Sequence, residues 1–201
     1  MSRARAQDQR REGDSYYTPA PLAEVLVSCL DINPGASVVE PSVGGGAFVR
    51  AIRAADLDCS IVGVDVNEKA AGFEHCDDGV QGDFLGCGEA DIGRPDWIIG
   101  NPPFNHAEEH VRHALKMVSK WGGVAFLLRL AFLESAGRLG FWKGPGACLR
   151  KVYVLAQRPS FTGGQTDSAA YGFFHWRPHH EGPAEIQVLD WHNARQGGLF
   201  S

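Results

Sequence analysis

The chain has 201 residues, 44% of them hydrophobic and 21% charged, a composition typical of a folded globular domain and not of a disordered or fibrous protein. The net charge of -5 argues against a general nucleic-acid coat protein, and no apolar run approaches the ~20 residues of a membrane span, so we expect no membrane partner. The five cysteines form no CxxC pair, which favours reduced thiols in a cytoplasmic protein over disulfides or a zinc site.

The first half of the chain is predicted to alternate between helix and strand. Residues 1–15 are polar and rich in arginine, and we expect a flexible arm ahead of a single domain over residues 16–201. Apolar spacing and turn residues then predict a helix from Pro21, a strand at Ser37–Glu40, a helix over AFVRAIRAA, and a strand at Ser60–Val66, with Asn67 as the cap of a further helix.

The second half continues the alternation and ends in two strands. The predicted elements are a short segment at Val80–Leu85, a strand at Asp96–Gly100, a helix over His106–Lys120, a strand at Gly123–Leu128, a helix over Ala131–Phe141, and strands over LRKVYVLAQ and SAAYGFFHW. This pattern indicates an α/β fold with a doubly wound, mostly parallel sheet of seven strands and one antiparallel edge strand. Such sheets bind ligands beyond the carboxyl ends of their strands.

A glycine-rich turn follows the first predicted strand, in the segment EPSVGGGAF from Glu40 to Phe48. It is neither GxGxxG nor a Walker loop, and no lysine follows it, so phosphate binding is poorly supported. An acidic residue at the strand end suits ribose hydroxyls or a cationic ligand instead. Asp65 ends the next strand, 25 residues after Glu40, and this spacing favours ribose binding over a simple helix cap.

A second motif, Asn101-Pro102-Pro103-Phe104, ends the fourth predicted strand. The two prolines remove two backbone donors and restrict φ, so the turn presents carbonyl oxygens, the Asn101 amide and an aromatic ring. An isolated Pro-Pro pair is more often a rigid turn beside a buried Phe. Its position after DWIIG, at a strand end, favours a functional site.

Charge is distributed unevenly along the chain. Residues 1–98 contain 8 Lys and Arg against 17 Asp and Glu, whereas residues 99–201 contain 11 against 7. Chance alone produces such an asymmetry, but it also suits a cationic cofactor bound to the first part and an anionic substrate bound to the second.

Taken in order, these segments resemble the class I S-adenosylmethionine-dependent methyltransferases, and among them the DNA adenine-N6 methyltransferases. The matching segments are Tyr16-Tyr17-Thr18-Pro19, EPSVGGGAF, Val64-Asp65-Val66-Asn67 with Gly82-Asp83-Phe84, and NPPF. The resemblance implies a Rossmann-like methyltransferase fold, S-adenosylmethionine as cofactor without a metal, and DNA as partner.

The resemblance also implies a role for each matching residue. Tyr17 and Thr18 would bind the methionine end of the cofactor; Glu40, Ser42, Gly44 and Gly46 would line the loop; Asp65 would bind the ribose; Asp83 and Phe84 would contact the cofactor's adenine. Asn101 and the Pro102 carbonyl would accept the N–H groups of the target adenine, and Phe104 would stack on that base after it is flipped from the duplex.

Residues 135–166 contain no acidic residue and are the predicted DNA-contacting segment. Lys143, Arg150, Lys151 and Arg158 would bind phosphates, and Phe161 would contact the flipped base opposite Phe104. The segment is short, which predicts short or relaxed sequence specificity. The alternatives are an RNA or protein-glutamine N-methyltransferase that uses the same NPPF acceptors, or a non-catalytic binding module of the same fold.

Overall fold

A computed structural model of the chain describes residues 17–161 and 168–194, and these residues share one eight-stranded sheet. Along the sheet the strands lie in the order β3-β2-β1-β4-β5-β7-β6-β8. The strands are β1 (Ser37–Glu40), β2 (Ser60–Asp65), β3 (Asp78–Gln81), β4 (Trp97–Gly100), β5 (Gly123–Arg129), β6 (Leu149–Leu155), β7 (Tyr171–Trp176) and β8 (Glu185–Leu189).

The predicted fold class is confirmed, with two differences in the last strands. β1 to β5 are mutually parallel, and β7 is the antiparallel strand, but it lies between β5 and β6 rather than at the edge. The eighth strand, β8, pairs parallel to β6 and forms the edge. Its Ile186 and Val188 are about two-thirds exposed, so β8 lacks the buried apolar run by which the other strands were predicted.

Helices cover both faces of the sheet. They are α1 (Ala20–Ser28), α2 (Ala47–Ala54), α3 (Glu89–Ile92), α4 (Ala107–Met117) and α5 (Leu139–Trp142). One apolar core contains buried residues of α1 and α2, and the other contains those of α4 and α5. Neighbouring residues of β1, such as Val38 and Val39, belong to different cores because successive strand side chains point to opposite faces. No helix in the described ranges has the length and apolar character needed to cross a membrane.

Two predicted helices are wrong. Residues 131–141 form short 3₁₀ turns and the four-residue α5 instead of one helix, and the segment contains Gly137 and Gly140, both unfavourable in a helix interior. After β2, the Asn67 side chain accepts a hydrogen bond from the Lys69 N–H in a turn, and a 3₁₀ helix at Ala71–His75 follows. Residues 1–16 and 162–167, which include the predicted arm, Tyr16 and part of the basic segment, lie outside the described ranges.

Candidate active site

The polar strand ends predicted from sequence meet at one end of the sheet, here called the carboxyl end because β1 to β5 all finish there. Strand order changes direction between β1 and β4, and ligands of doubly wound sheets bind at such a switch point. Asp83, Asp65, Glu40 and Asn101 follow or end the adjacent strands β3, β2, β1 and β4. Three strand spacings separate the outer two strands, about 14 Å.

The glycine turn is tied to the end of β2 through Asp65. One Asp65 carboxylate oxygen accepts the Gly44 N–H at 2.8 Å, and the other accepts the Asn67 N–H at 2.8 Å. Gly46 has a φ of 72°, and a Cβ there would lie 2.6 Å from the Gly72 Cα, so no other residue fits. Because Gly44 donates to Asp65, its N–H does not point toward a phosphate.

Glu40 is a buried carboxyl group beneath this turn, only 3% exposed. Its Oε2 accepts a hydrogen bond of 3.2 Å from the Val49 N–H in α2. Burial raises the pKa of Glu40 well above its usual range; the Val49 hydrogen bond opposes this rise, and the charge of Asp65 adds to it. A cation near this carboxyl would favour its ionised form.

Tyr17 and Thr18 reach the site from the chain ahead of α1. The Tyr17 ring covers the turn, since a Cβ on Gly45 would lie 2.7 Å from the Tyr17 Cδ1 atom. Thr18 is buried, and its Oγ1 accepts a hydrogen bond of 3.2 Å from the Asn101 Nδ2. The two side chains therefore join the glycine turn and the NPPF motif, which are far apart in sequence.

The hydrogen bond to Thr18 orients the amide of Asn101. Amide nitrogen and oxygen lie on opposite sides of the group, so with Nδ2 directed at Thr18 the Oδ1 faces away from it. The motif then turns through a 3₁₀ helix at Phe104–His106 into α4. The prolines hold the Pro102 carbonyl and the Asn101 amide on one rigid turn.

Phe104 belongs to an aromatic group at the same end of the sheet. Its ring centroid lies 5.4 Å from that of Tyr171 and 6.2 Å from that of Phe161, and the Arg129 guanidinium lies 5.1 Å above the ring. Phe104 and Phe161 meet edge to face at 65°, and Phe161 is buried. The structure thus brings the two predicted aromatic residues together, but in direct contact and without a slot for a base between them.

Three other predicted cofactor residues lie near the site with differing exposure. The Ser42 hydroxyl donates to the Pro41 carbonyl at 2.8 Å. Asp83 is exposed, and its Oδ1 accepts the Leu85 N–H, which caps a 3₁₀ turn. Phe84 is 1% exposed and packs on His110 and His113, so its ring is not presented to a cofactor. Its apolar character reflects a core position.

The basic segment does not gather at the site as expected. Arg158 and Phe161 follow the carboxyl end of β6, where Phe161 contacts Phe104, whereas Arg150 and Lys151 lie at the beginning of β6, at the opposite end of the sheet. Lys143 follows α5 on the face covered by α4. Arg150 and Lys151 therefore lie far from Phe104, because a seven-residue strand carries the chain about 20 Å away, and their contact with DNA phosphates stays a prediction.

Arg129 also lies at this site, although the sequence motifs do not indicate it. It ends β5, the strand next to β4, and its guanidinium covers one face of Phe104. The sequence signal for Arg129 is its position at the end of a buried apolar strand, which it shares with Glu40 and Asp65. Among the described residues, no group of three or more His, Cys, Asp or Glu side chains is placed to hold a metal ion.

Comparison with known proteins adds evidence independent of this geometry. The family model described as N-6 DNA Methylase matches residues 2–125. The Type II methyltransferase M.TthHB8I of Thermus thermophilus is 33% identical over 136 residues, and the match covers 61% of this chain and 31% of that protein. The chain therefore spans about a third of the length of this curated relative.

Two solved structures share the fold. A protein described as the modification subunit of a type I restriction enzyme, from Vibrio vulnificus YJ016, superposes with a TM-score of 0.66 at 17% identity, covering 92% of this chain and 52% of the other. The M protein of the type I restriction enzyme EcoKI gives a TM-score of 0.63 at 14% identity, covering 85% and 46%. At these identities the likeness concerns the fold alone.

Proposed function

The chain belongs to the N-6 DNA methylase family, and from this premise we propose that it transfers a methyl group from S-adenosylmethionine to the exocyclic N6 of adenine in DNA. The observation that carries the proposal is the Asn101 amide, oriented by Thr18 and held beside the glycine turn at the switch point of the sheet. The chain's match to a type II methyltransferase supports DNA as the substrate.

The residues at the carboxyl end fit this cofactor. Glu40, Asp65 and Asp83 are acidic groups on three adjacent strand ends, which suits a cationic ligand. Each Asp65 oxygen accepts one backbone N–H and retains a second lone pair for a ribose hydroxyl. When bound, the cofactor supplies an electrophilic methyl group on a sulfonium centre.

Asn101 and Pro102 act on the target amino group. This nitrogen is a poor nucleophile because its lone pair is delocalised into the adenine ring. The Asn101 Oδ1 and the Pro102 carbonyl accept its two N–H groups and favour a pyramidal nitrogen with its lone pair directed at the methyl group. Since the rigid turn holds both acceptors in place, they stabilise the developing positive charge without reorganising.

The aromatic group beside the motif supports recognition of a base. Phe104 supplies the stacking face, and Arg129 lies close enough to contact the base or its phosphate. Of the predicted phosphate contacts, the exposed Arg158 follows the carboxyl end of β6, whereas Arg150 and Lys151 lie at the opposite end of the sheet. We therefore expect few base-edge contacts and short or relaxed specificity.

The test is transfer of tritium from labelled S-adenosylmethionine to duplex DNA, RNA and protein, compared among wild type, Asn101→Ala and Asn105→Ala. Asn105 is exposed in the same turn and serves as the matched control. We expect labelling of adenine in DNA, a loss of about 100- to 1000-fold in turnover for Asn101→Ala, and less than a twofold change for Asn105→Ala.

Two outcomes would contradict the proposal. Wild-type turnover in Asn101→Ala would exclude the mechanism, and labelling of RNA or protein without DNA would exclude the substrate. Mapping of methylated adenines by long-read sequencing tests specificity. A single strict motif of about six base pairs or more would show that the expectation of relaxed specificity is wrong.

A further inference from the structure

A second candidate site lies at the amino end of the sheet, opposite the catalytic residues. It is an open cavity of about 560 Å³ between the turn that leads into β5, the beginning of β6 and the segment after β7. A cavity of this size accommodates one nucleotide. Its lining includes three cations, two carboxylates and an aromatic ring: Lys120, Arg150, Arg177, Asp31, Glu181 and Trp121.

The cations of this cavity are not neutralised by direct contact. Within the described ranges, no side-chain nitrogen of Lys120, Arg150 or Arg177 lies within 4.0 Å of a carboxylate oxygen. Burial lowers the pKa of Arg177, the charge of Asp31 raises it, and that of Arg150 lowers it again. The charge of Arg150 thus disfavours that of Arg177 while Asp31 favours it, and an anion bound beside the two arginines would relieve their repulsion.

Trp121 provides a stacking surface beside these cations. Its side chain is 76% exposed, whereas Trp97, Trp176 and Trp191 are buried. The Lys120 ammonium lies 5.2 Å from the Trp121 ring centroid, and the His179 ring lies 4.7 Å from it. An exposed indole flanked by cations is the arrangement with which proteins hold a base and its adjoining phosphate.

The two carboxylates distinguish a nucleotide from a simple anion. Asp31 and Glu181 would repel a bare phosphate, but they can accept hydrogen bonds from the exocyclic amino group of a cytosine or adenine. We propose that the amino-end cavity binds a nucleotide, with its base stacked on Trp121 and its phosphate held by Lys120 and Arg150. The nucleotide is either free or a unit of a single-stranded nucleic acid.

This site is separate from the catalytic one. Arg150 lies at the beginning of β6 and Arg158 beyond its end, about 20 Å apart along the strand. A nucleotide in the cavity therefore does not occupy the space beside Asn101. Substitutions at the cavity should change nucleotide binding without changing cofactor binding.

The probes are a fluorescein-labelled 12-residue oligodeoxycytidine, deoxycytidine monophosphate and inorganic phosphate, used with the full chain. Anisotropy of the oligonucleotide measures binding, and the phosphate and the mononucleotide compete. Arg150→Gln and Trp121→Leu probe the cavity, and Lys116→Gln, an exposed lysine on α4, is the matched control for loss of one charge. Asn101→Ala reports whether binding depends on the proposed catalytic site.

We expect Trp121→Leu to weaken binding about tenfold. Arg150→Gln should weaken it and reduce the slope of log affinity against log salt by about 0.7, the loss of one phosphate contact. Binding should be unchanged in Lys116→Gln, and a loss of binding confined to Asn101→Ala would place the oligonucleotide at the catalytic end and overturn the proposal. Equal competition by the mononucleotide would assign a free nucleotide, and tighter binding of the oligonucleotide a strand.

Two further results would overturn the proposal. One is an affinity of Arg150→Gln or Trp121→Leu equal to that of Lys116→Gln. The other is competition by inorganic phosphate as effective as that by deoxycytidine monophosphate, because the base would then contribute nothing.

Discussion

The two ends of the sheet differ in whether their charged side chains have hydrogen-bond or ion-pair partners within the protein. At the carboxyl end, Asp65 accepts one hydrogen bond from Gly44 in the glycine turn and another from Asn67, and the buried Glu40 accepts one from the Val49 N–H. At the amino end, Lys120 and Arg150 are exposed, and no ion pair joins either of them to a carboxylate of the described residues. The first end is organised before a ligand arrives, whereas the second would gain its counter-charges from a ligand.

The difference follows from the fold. The loops that follow β1 to β5 lie at the carboxyl end, and there Asp65 and Glu40 accept backbone N–H groups of the glycine turn and α2. The amino end receives the reversed strand β7, whose continuation brings Arg177 and His179 toward Lys120. The fixed polar groups of the carboxyl end suit catalysis, because they need not reorganise during the reaction. The unneutralised cations of the amino end suit reversible binding of an anion.

The largest expected effect is on cofactor affinity, when one acidic residue is replaced at each end of the sheet. Asp65→Ala removes the anchor of the glycine turn and the proposed ribose acceptor, and should weaken S-adenosylmethionine binding by about 10- to 100-fold, the range for hydrogen bonds to a charged group. Asp31→Ala at the amino end should leave this affinity unchanged. Calorimetry measures both, and similar affinities for the two variants would contradict the comparison.

A smaller effect concerns stability and pH. Burial raises the folded-state pKa of Glu40, so the folded protein holds a proton that the unfolded chain releases, and the free energy of unfolding falls as pH rises above about 4.5. Glu40→Gln stays neutral and keeps an acceptor for the Val49 N–H. Its stability relative to wild type should therefore rise with pH, by up to about 1.4 kcal/mol per unit, until the folded pKa is passed.

Urea unfolding at intervals between pH 5 and 8 measures this difference. A constant difference between Glu40→Gln and wild type over that range would mean that Glu40 ionises in the folded protein as easily as in the unfolded chain.

The smallest expected effect is on turnover in Thr18 variants, and it distinguishes between two roles of the Thr18 hydroxyl. If its hydroxyl orients the Asn101 amide, Thr18→Val should lower turnover about fivefold, the value of one neutral hydrogen bond, with little change in cofactor affinity, and Thr18→Ser should restore it. If it binds the cofactor instead, as the sequence motif implies, affinity should fall while turnover at saturation is kept. Steady-state kinetics combined with calorimetry distinguish the two results.

Local sequence was sufficient to predict most of the sheet and the position of its polar strand ends. Apolar runs such as those of β1 and β5 are buried on both faces, and the Gly and Pro of the two motifs restrict the backbone within a few residues. The same local logic failed for residues 131–141, where apolar spacing predicted a helix and the structure has short turns. It also failed for β8, where Ile186 and Val188 are exposed at the sheet edge.

The sequence by itself determined the α/β class, the glycine turn with Asp65 and the NPPF motif, because each depends on neighbouring residues. Only the tertiary structure decided which of them touch. The hydrogen bond from Asn101 to Thr18 spans 83 positions, and the contact of Phe104 with Phe161 spans 57. The length of β6 separates Arg150 from Arg158, and antiparallel pairing with β7 places Arg150 at the amino end, because strand direction depends on pairing with distant strands and not on local propensity.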